Sequence, residues 1–326
     1  MTGRPRLPSG DRRGVVLLLV LATIALFTVM VVNFSADEGL DMQLAYNFRD
    51  SVQAQYVARS GVEAAVALLK KDDTAYDAED EDWGDFGQYA MGAAQYLDNQ
   101  TISGSITDES GRFDLNCLGK AEGLSLWIEQ FVNLVLLLEI DTEVDPRELA
   151  YALRDWIDED DDDGGNGAEE RYYQSLENPY HCKNGPLDCP EEILLVKGMK
   201  PEYYYGTDHY KGLRDYVAVG TGGRINVNTA SEAVLRSVSK AMDNDGVIKA
   251  VRDGRPWKVN QGDWAAALGV TASGDEREWI KKVLTNTTEV FRADMKGSLP
   301  SGAQMNVMAI LQRVQSDVKI VYYKIY

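Results

Sequence analysis

The sequence has few of the residues that most often bind transition metals or act as catalytic nucleophiles. Its 326 residues include two histidines and three cysteines. No CxxC pair accompanies His181 or His209, so the usual ligand sets of a zinc site are missing. GxSxG, HExxH and phosphate-loop motifs are also absent. The sequence therefore does not indicate an enzyme, and zinc is not an expected cofactor.

Positive charge is scarce as well. The chain carries 33 Lys and Arg residues against 52 Asp and Glu residues, which gives a net charge of −19. An acidic surface of this kind repels phosphate backbones, so nucleic acid is not an expected partner. Apolar residues make up 44% of the chain, which is enough for a hydrophobic core and excludes a disordered protein.

The chain has one long hydrophobic run, at residues 15–32, directly after Arg12, Arg13 and Gly14. Eighteen uncharged residues form about 27 Å of helix, which is close to the hydrocarbon thickness of a bilayer. Because the basic residues precede the run, the N-terminus is expected in the cytoplasm and the rest of the chain outside it.

Three interpretations of this run differ in where the chain is cut. A secretory signal has a shorter apolar region and a small-residue site after it, and residues 33–36 match that site only weakly. An uncleaved signal anchor is a second interpretation. The junction between Gly14 and Val15, with charge on one side and an apolar helix on the other, resembles a type IV prepilin leader junction.

A second helix is predicted after the apolar run. Small and apolar residues recur there every three or four positions, which is typical of one face of an amphipathic helix. They are Leu40, Leu44, Phe48, Ser51, Ala54, Ala58, Val62, Ala65 and Leu69. If both segments are continuous, residues 15–70 form one helix of about 84 Å, as in pilins and pseudopilins. A membrane anchor followed by a separate surface helix is the alternative.

The remaining chain has strand patterns near both of its ends and helix patterns between them. Residues 101–116 are predicted to form a β-hairpin, and strands are expected at 287–295, 304–312 and 318–326. Buried helices are predicted at 124–140 and from Pro146 to about Ile157. The predicted architecture is therefore one sheet closed from both ends of the chain, with a helical block inserted.

Six consecutive acidic residues, at positions 158–163, precede a glycine-rich segment. Such a cluster raises the pKa of its members unless a cation enters it. If Asp158 is position 1 of an EF-hand loop, Asp160, Asp162 and Glu169 fall at ligand positions 3, 5 and 12. Position 6 is Asp163 rather than glycine, so the loop departs from a true EF-hand. The pattern predicts a calcium site, and a solvated acidic turn is the alternative.

Two of the three cysteines, Cys182 and Cys189, are seven residues apart in a loop rich in glycine and proline. A location outside the cytoplasm permits a disulfide between them. Free thiols, or a pairing of Cys117 with either of them, are the alternatives.

Several motifs together resemble the K minor pseudopilins of type II secretion systems, the GspK family. The matching segments follow in family order: RRGVVLLLVLATIALFTVMVV, GRFDLNCL, LRDWIDEDDDDGGNGAEERYYQSLENPY, NGPLDCPEEILLVKGMKPEYY and GRINVNTASEAVL. The segment from DWID to the tyrosine pair, followed by INVNTA, is the most specific of them.

The resemblance implies an α+β fold, in which a pilin-like long N-terminal helix packs on an antiparallel sheet and a large α-helical domain is inserted. The implied domains are a leader at 1–14, a transmembrane and fibre-core helix at 15–35, a pilin-like domain at 36–117 and 285–326, and a helical domain with the calcium loop at 118–284. It also implies prepilin peptidase cleavage after Gly14, N-methylation of Val15, and a single pass through the bacterial inner membrane with the C-terminal domain in the periplasm.

Calcium is the cofactor that the resemblance implies. Its ligand roles transfer to Asp158, Asp160 and Glu169, and less directly to Asp155, Asp162, Glu170 and Asn184.

One position in the apolar run indicates where the protein would lie in a fibre. If Val15 is the first residue of the mature chain, Leu19 is the fifth, where most pilins carry glutamate. That glutamate is thought to pair with the N-terminal ammonium of the subunit above it. A subunit with nothing above needs no such charge, whose burial in a membrane is costly.

The chain is therefore expected at the tip of a short pseudopilus, with the I and J minor pseudopilins beneath it, where it would nucleate or cap assembly for the export of folded proteins. The alternatives are a minor pilin of a type IV pilus and, on the paired acids Asp158 and Glu169, a membrane-anchored calcium-dependent enzyme.

Overall fold

A computed structural model of the chain describes residues 12–72, 75–93, 99–163, 167–272, 274–315 and 317–326. The α-helices in this part are α1 (Arg12–Lys71), α2 (Phe86–Ala93), α3 (Leu124–Leu137), α4 (Pro146–Ile157), α5 (Glu170–Gln174), α6 (Pro201–Tyr205), α7 (Glu232–Ser237), α8 (Asp245–Gly254), α9 (Trp264–Ala267) and α10 (Asp275–Val283). The strands are β1 (Thr101–Asp108), β2 (Phe113–Asp114), β3 (Val217–Ala218), β4 (Ile225–Asn226), β5 (Leu284–Thr285), β6 (Val290–Ser298), β7 (Gln304–Val314) and β8 (Asp317–Ile325).

Helix α1 is continuous over 60 residues, so the predicted apolar run and the predicted amphipathic helix are one element. Among the described residues it is the one helix that is long and apolar enough to cross a membrane, and its most apolar window has a mean hydropathy of 3.1. None of that window is buried by the rest of the chain. Of the predicted leader at residues 1–14, residues 1–11 lie outside the described residues.

The C-terminal part of α1 packs on an antiparallel sheet. Ala54, Ala58 and Val62 are completely buried against this sheet. A Cβ atom at Gly297 of β6 would lie 2.3 Å from the carbonyl oxygen of Ala54, so glycine is needed for the helix to approach this strand so closely. The first residues of the predicted stripe, including Phe48, are instead exposed. The stripe is therefore a packing face only from about Ala54 onward.

The sheet has the strand order β1-β6-β7-β8, and every neighbouring pair is antiparallel. Alternate side chains of β6 and β7 point toward α1 and form the hydrophobic core between the helix and the sheet. They are Phe291, Ala293, Met295, Val307, Ala309 and Leu311. Because alternate residues of a strand point to opposite faces, Arg292, Met308 and Ile310 lie on the other face, which we call the outer face. The predicted α+β fold class is confirmed.

Residues 118–284, which we call the helical block, contain the second hydrophobic core. Large side chains from α3 and α4, among them Trp127, Phe131, Leu153 and Trp156, are buried there. Helix α4 begins where the sequence predicts it, because the Asp145 side chain accepts a hydrogen bond from Arg147 N and Pro146 occupies the first turn. The predicted helices at 124–140 and 146–157 are confirmed, and the first of them ends at Leu137.

The predicted β-hairpin at 101–116 is wrong. Strand β1 pairs with β6, and the short β2 pairs in parallel with β3. After β1, the buried carboxylate of Asp108 accepts hydrogen bonds from Ser110 N, Asn226 Nδ2 and Thr229 Oγ1 at 2.6 to 2.8 Å. These contacts direct the chain into the helical block, so it does not fold back on β1.

A buried ion-pair network ties the segment after α1 to the end of β7. The Arg313 guanidinium lies 2.8 Å from Asp77 Oδ1 and 2.7 Å from Asp72 Oδ2. Asp77 is completely buried, and its second carboxylate oxygen accepts a hydrogen bond from Thr288 N. The guanidinium also lies over the Phe291 ring, 4.8 Å from its centre. Arg313 therefore provides the charge that makes the burial of Asp77 tolerable.

We predict that Arg313→Met lowers the free energy of unfolding by about 3–5 kcal/mol, because it leaves the Asp77 carboxylate buried without its cation. Chemical denaturation of the full chain in detergent micelles measures this loss. The double variant Arg313→Met/Asp77→Asn should recover much of the stability, since asparagine carries no charge and can still accept from Thr288. A loss below about 1 kcal/mol in the single variant would contradict this role.

Candidate metal centre

The C-terminal end of α4 presents two acidic side chains on one side. Asp155 lies in the last turn, and Asp158 follows the helix, with its N–H donating to Arg154 O at 2.8 Å. Residues three apart lie on the same face of a helix, which places the two carboxylates together. The helix dipole is negative at this end, so it disfavours both carboxylates and favours a cation beside them.

The chain returns to this end of α4 through Glu169, which precedes α5. Asp155, Asp158 and Glu169 each offer one carboxylate oxygen, and these oxygens lie within 4.8 Å of one another. Asp155 and Glu169 are buried, with 1% and 6% of their surface exposed. Oxygens bound to one calcium ion at about 2.3–2.6 Å lie no more than about 5 Å apart. The spacing of this acidic triad thus fits a single ion of this size.

The loop can close over Asp155 only because residue 167 is glycine. A Cβ atom at Gly167 would lie 1.5 Å from Asp155 Oδ2, which is an impossible contact. The next N–H, of Ala168, donates to the same Asp155 oxygen at 2.8 Å. Lys197 Nζ donates to the Gly167 carbonyl at 2.9 Å and holds the loop from the other side. These contacts bring Glu169 back to α4.

Burial and repulsion from neighbouring carboxylates raise the pKa values of all three carboxyls of the triad. Burial, followed by repulsion from Asp155 and Asp158, raises the pKa of Glu169 to about 7. Burial also raises the pKa of Asp155 to about 6, and it raises the pKa of Asp158 despite the opposing effect of Arg154. Arg154 Nε lies 3.1 Å from Asp158 Oδ2. In the described part of the chain, neither carboxylate oxygen of Glu169 accepts a hydrogen bond.

Asn184 reaches the acidic loop from a separate segment. Its amide nitrogen lies 3.3 Å from Asp160 O and 3.1 Å from Asp161 Oδ1. Its amide oxygen is buried and accepts no hydrogen bond from any residue that the structure describes. Asn184 thus has the unused oxygen that a calcium ligand requires, and its backbone adopts a positive φ of 43°.

The other acids named by the sequence pattern lie in different surroundings. Asp160 and Asp162 are exposed, and Asp160 Oδ1 accepts from Asp162 N at 2.9 Å. Glu170 is engaged by the loop at 181–182, since it lies 2.6 Å from His181 Nδ1 and accepts from Cys182 N at 2.8 Å. The triad therefore contains Asp158 and Glu169 from the EF-hand spacing and takes its third member from α4.

Cys117, Cys182 and Cys189 are free thiols in the structure, which is one of the alternatives that the sequence leaves open for the candidate pair Cys182 and Cys189. Cys182 Sγ lies 3.7 Å from the Asp155 carbonyl oxygen beside the triad. Cys189 lies at the N-terminus of a 3₁₀ turn and lines a different cleft. The two side chains are thus held by separate surroundings, and burial raises the pKa of Cys182 to about 11.

The residues expected to act in the membrane lie in the N-terminal part of α1, residues 14–49, all of which are exposed. We call this part the bare half of α1. Gly14, Val15 and Leu19 are exposed, and 64% of the Leu19 surface is accessible. The Leu19 carbonyl also accepts a hydrogen bond from Thr23 Oγ1 at 2.7 Å. No other part of the described chain covers this half of the helix, so it is free to contact lipid or other helices.

Comparison with known proteins finds similarity to one family. Residues 111–219, which include the triad, match the family described as type II secretion system (T2SS), protein K. The type II secretion system protein K of Klebsiella pneumoniae is 28% identical over 197 residues, which cover 59% of this chain and 60% of that protein. The protein K of Aeromonas hydrophila is 27% identical over 271 residues, covering 77% and 78% of the two chains.

A solved structure shares the fold. It is a chain in the crystal structure of the GspK-GspI-GspJ complex from the type 2 secretion system of enterotoxigenic Escherichia coli. The TM-score is 0.67 at 18% sequence identity, and the match covers 88% of this chain and 99% of that one. The family match across the acidic loop, the relatives and the shared fold agree with one another: this chain is similar to the protein K components of type II secretion systems.

Proposed function

We propose that this chain is a minor pseudopilin at the tip of the type II secretion pseudopilus, where it assembles with I and J minor pseudopilins. The observation that carries this proposal is the fold shared with a protein solved in a GspK-GspI-GspJ complex, which extends over 99% of that chain. The relatives that we find belong to type II secretion, so a type IV pilus minor pilin is not favoured. The family is structural, and we assign the chain no catalytic step.

The exposed half of α1 supports a role in both a membrane and a fibre. Leu19, Phe27, Phe34 and Leu44 are all more than half exposed, and no part of the described chain buries them. Such a surface is stable in lipid before assembly or against neighbouring helices afterwards. We place the helix in the inner membrane, with the C-terminal part in the periplasm, cleavage after Gly14 by the prepilin peptidase, and methylation of Val15.

Two features support the tip position. Leu19 lacks the carboxylate that would pair with the N-terminus of a subunit above, so it avoids the cost of a charge in the membrane. The helical block is inserted between β1 and β6, and it forms a large second body beside the sheet. This block would clash with a further subunit on top.

We also propose that the triad of Asp155, Asp158 and Glu169 binds one calcium ion, together with the Asn184 amide oxygen. The ion would neutralise carboxylates that are otherwise buried together, and it would link the end of α4 to the start of α5. Waters or carbonyl oxygens of the loop would complete its coordination. Its role is to stabilise the helical block.

For the assembly, we predict that the full chain purified in detergent retains the I and J proteins of the same system together. The measurement is co-purification from cells that express all three, with a major pseudopilin of the same system as the negative control. Deletion of the gene should abolish type II secretion and leave type IV pili intact. Retention of neither protein, or loss of pili with secretion intact, would contradict the assignment.

For the tip position, we predict that Leu19→Glu does not distribute the protein along the fibre, because the helical block still prevents a subunit from adding above it. Immunogold labelling of sheared pseudopili measures the position. Leu21→Glu is the matched control, since it places the same charge two residues away in the same exposed helix. Labelling along the whole fibre in the Leu19→Glu variant would show that the helical block does not prevent addition above the protein, and it would contradict that argument for the tip.

For the metal, we predict that calcium raises the melting temperature of the EGTA-treated chain by about 5–10 °C, as expected for an ion at about 100 times its Kd. Glu169→Gln should lose most of this shift, and the exposed Glu177→Gln should retain it. An unchanged melting temperature in the wild-type chain, with no metal found by elemental analysis, would contradict the site.

The same variant tests the charge argument without metal. The folded-state pKa of Glu169 is about 7, above its ordinary value of about 4.3, so stability is lost as pH rises through this interval. In EGTA, Glu169→Gln should therefore be more stable than wild type at pH 8, by about 1 kcal/mol or more, with little difference at pH 5. In calcium at pH 8 the order should reverse.

A further inference from the structure

A cleft of about 480 Å³ lies between the outer face of the sheet and the helical block. Leu187, Val217 and Val219 line it from the block side, and Met308, Ile310 and Tyr322 line it from the sheet. Most of its walls are apolar, and it lies apart from the acidic triad, none of whose residues line it. Junctions between two bodies of a chain are common ligand sites.

The cleft opens beside a free sheet edge. Strand β8 pairs with β7 on one side and is the last strand in the sheet order, so its other side carries unpaired backbone groups. The register between β7 and β8 shifts between Ile310 and Leu311, which makes Val321 an extra residue. Adjacent residues of a regular strand point to opposite faces, but a bulge changes the direction of the side chains. The bulge therefore accounts for both Val321 and Tyr322 lining the cleft.

Unpaired cations surround the same edge. Lys319 pairs in register with Gln312, and Lys324 pairs with Met308, so both lie on the outer face with Tyr322. Arg214 lines the cleft from the helical block. All three cations are exposed, and within the part of the chain that the structure describes none forms an ion pair or a side-chain hydrogen bond.

Most other charges in the cleft are already paired. Arg112 binds Glu109, Arg292 binds Asp294, and Lys183 binds Asp188. Glu191 is the remaining acid in the lining. The three acids and three arginines that line the cleft balance, so the local positive charge comes from Lys319 and Lys324 on the outer face beside the open strand edge. A second copy of β8 complements this edge less well than an acidic segment, because it would add its own Lys319 and Lys324 to the positive charge there.

We propose that β8 accepts an extended peptide segment of a partner protein as an additional strand, with an apolar side chain of that segment in the cleft and its carboxylates facing Arg214, Lys319 and Lys324. In this mode of recognition, main-chain hydrogen bonds provide affinity, and the adjoining pocket and charges provide specificity. The site is separate from the bare half of α1 and from the triad, so the proposal does not rest on the fibre assignment.

The test uses the full chain in detergent micelles and a fluorescent peptide of alternating valine and glutamate, as long as β8. Fluorescence anisotropy should detect saturable binding. N-methylation of the peptide amides that face β8 should abolish it, whereas N-methylation of the amides that face away should leave it within about twofold, since only the first set donates to the edge. If both methylated peptides lose binding equally, or if neither of them loses binding, strand addition is overturned.

Charge is tested by substitution on both sides. Replacing the peptide glutamates with glutamines, or Lys324→Glu in the protein, should weaken binding by about tenfold or more, because each removes charge-assisted contacts. Lys249→Glu, at an exposed position of α8 outside the cleft, is the matched control and should bind as wild type does. Equal weakening in both protein variants, or complete competition by decanoate, would show a non-specific or small-molecule site and overturn the proposal.

Discussion

The antiparallel pairing of β1 with β6 is the contact on which the two parts of this protein depend. It joins residues 101–108 to residues 291–298, and the whole helical block lies between them in the chain. Contacts so distant in sequence require a long loop to close before they contribute any stability. The buried Asp108 extends the same junction into the helical block through Asn226 and Thr229. The two ends of the helical block must therefore lie close together for β1 to pair with β6 and complete the sheet that supports α1.

The acidic triad and the cluster around Arg313 differ in how their negative charges are compensated. At Arg313, a buried cation compensates two carboxylates. At the end of α4, three carboxylates converge and Arg154 is the cation beside them. Burial raises the pKa values of Asp155 and Glu169, and a cation bound at this end of the helical block would offset this cost. The two acidic clusters thus differ in how their carboxylates are paired: Arg313 contacts two carboxylates directly, whereas Arg154 contacts Asp158 alone among the three of the triad.

Local patterns predicted local structure well and non-local contacts poorly. The apolar run, the Asp145–Pro146 helix start and the strands near the C-terminus depend on residues close in sequence, and the structure contains them. The hairpin prediction failed because strand periodicity does not name a partner, and β6 lies far along the chain. The EF-hand spacing does not include Asp155, which only the family resemblance named, as a less direct ligand; its position three residues before Asp158, at the end of a predicted helix, was a usable signal. Arg313 and the β8 edge had no comparable local signal.

The sequence by itself determined the membrane-spanning length of α1, the absence of an acid at Leu19, the excess of negative charge and the identity of the acidic loop, because each follows from composition or short spacing. Only the tertiary structure decided which carboxylates converge, which cation neutralises which acid, and which strand is left at the edge of the sheet. Those outcomes depend on pairing and burial between distant segments. A glycine at 167 and another at 297 permit two of the closest approaches, but their effect is apparent only when the opposing backbone or side chain is in place.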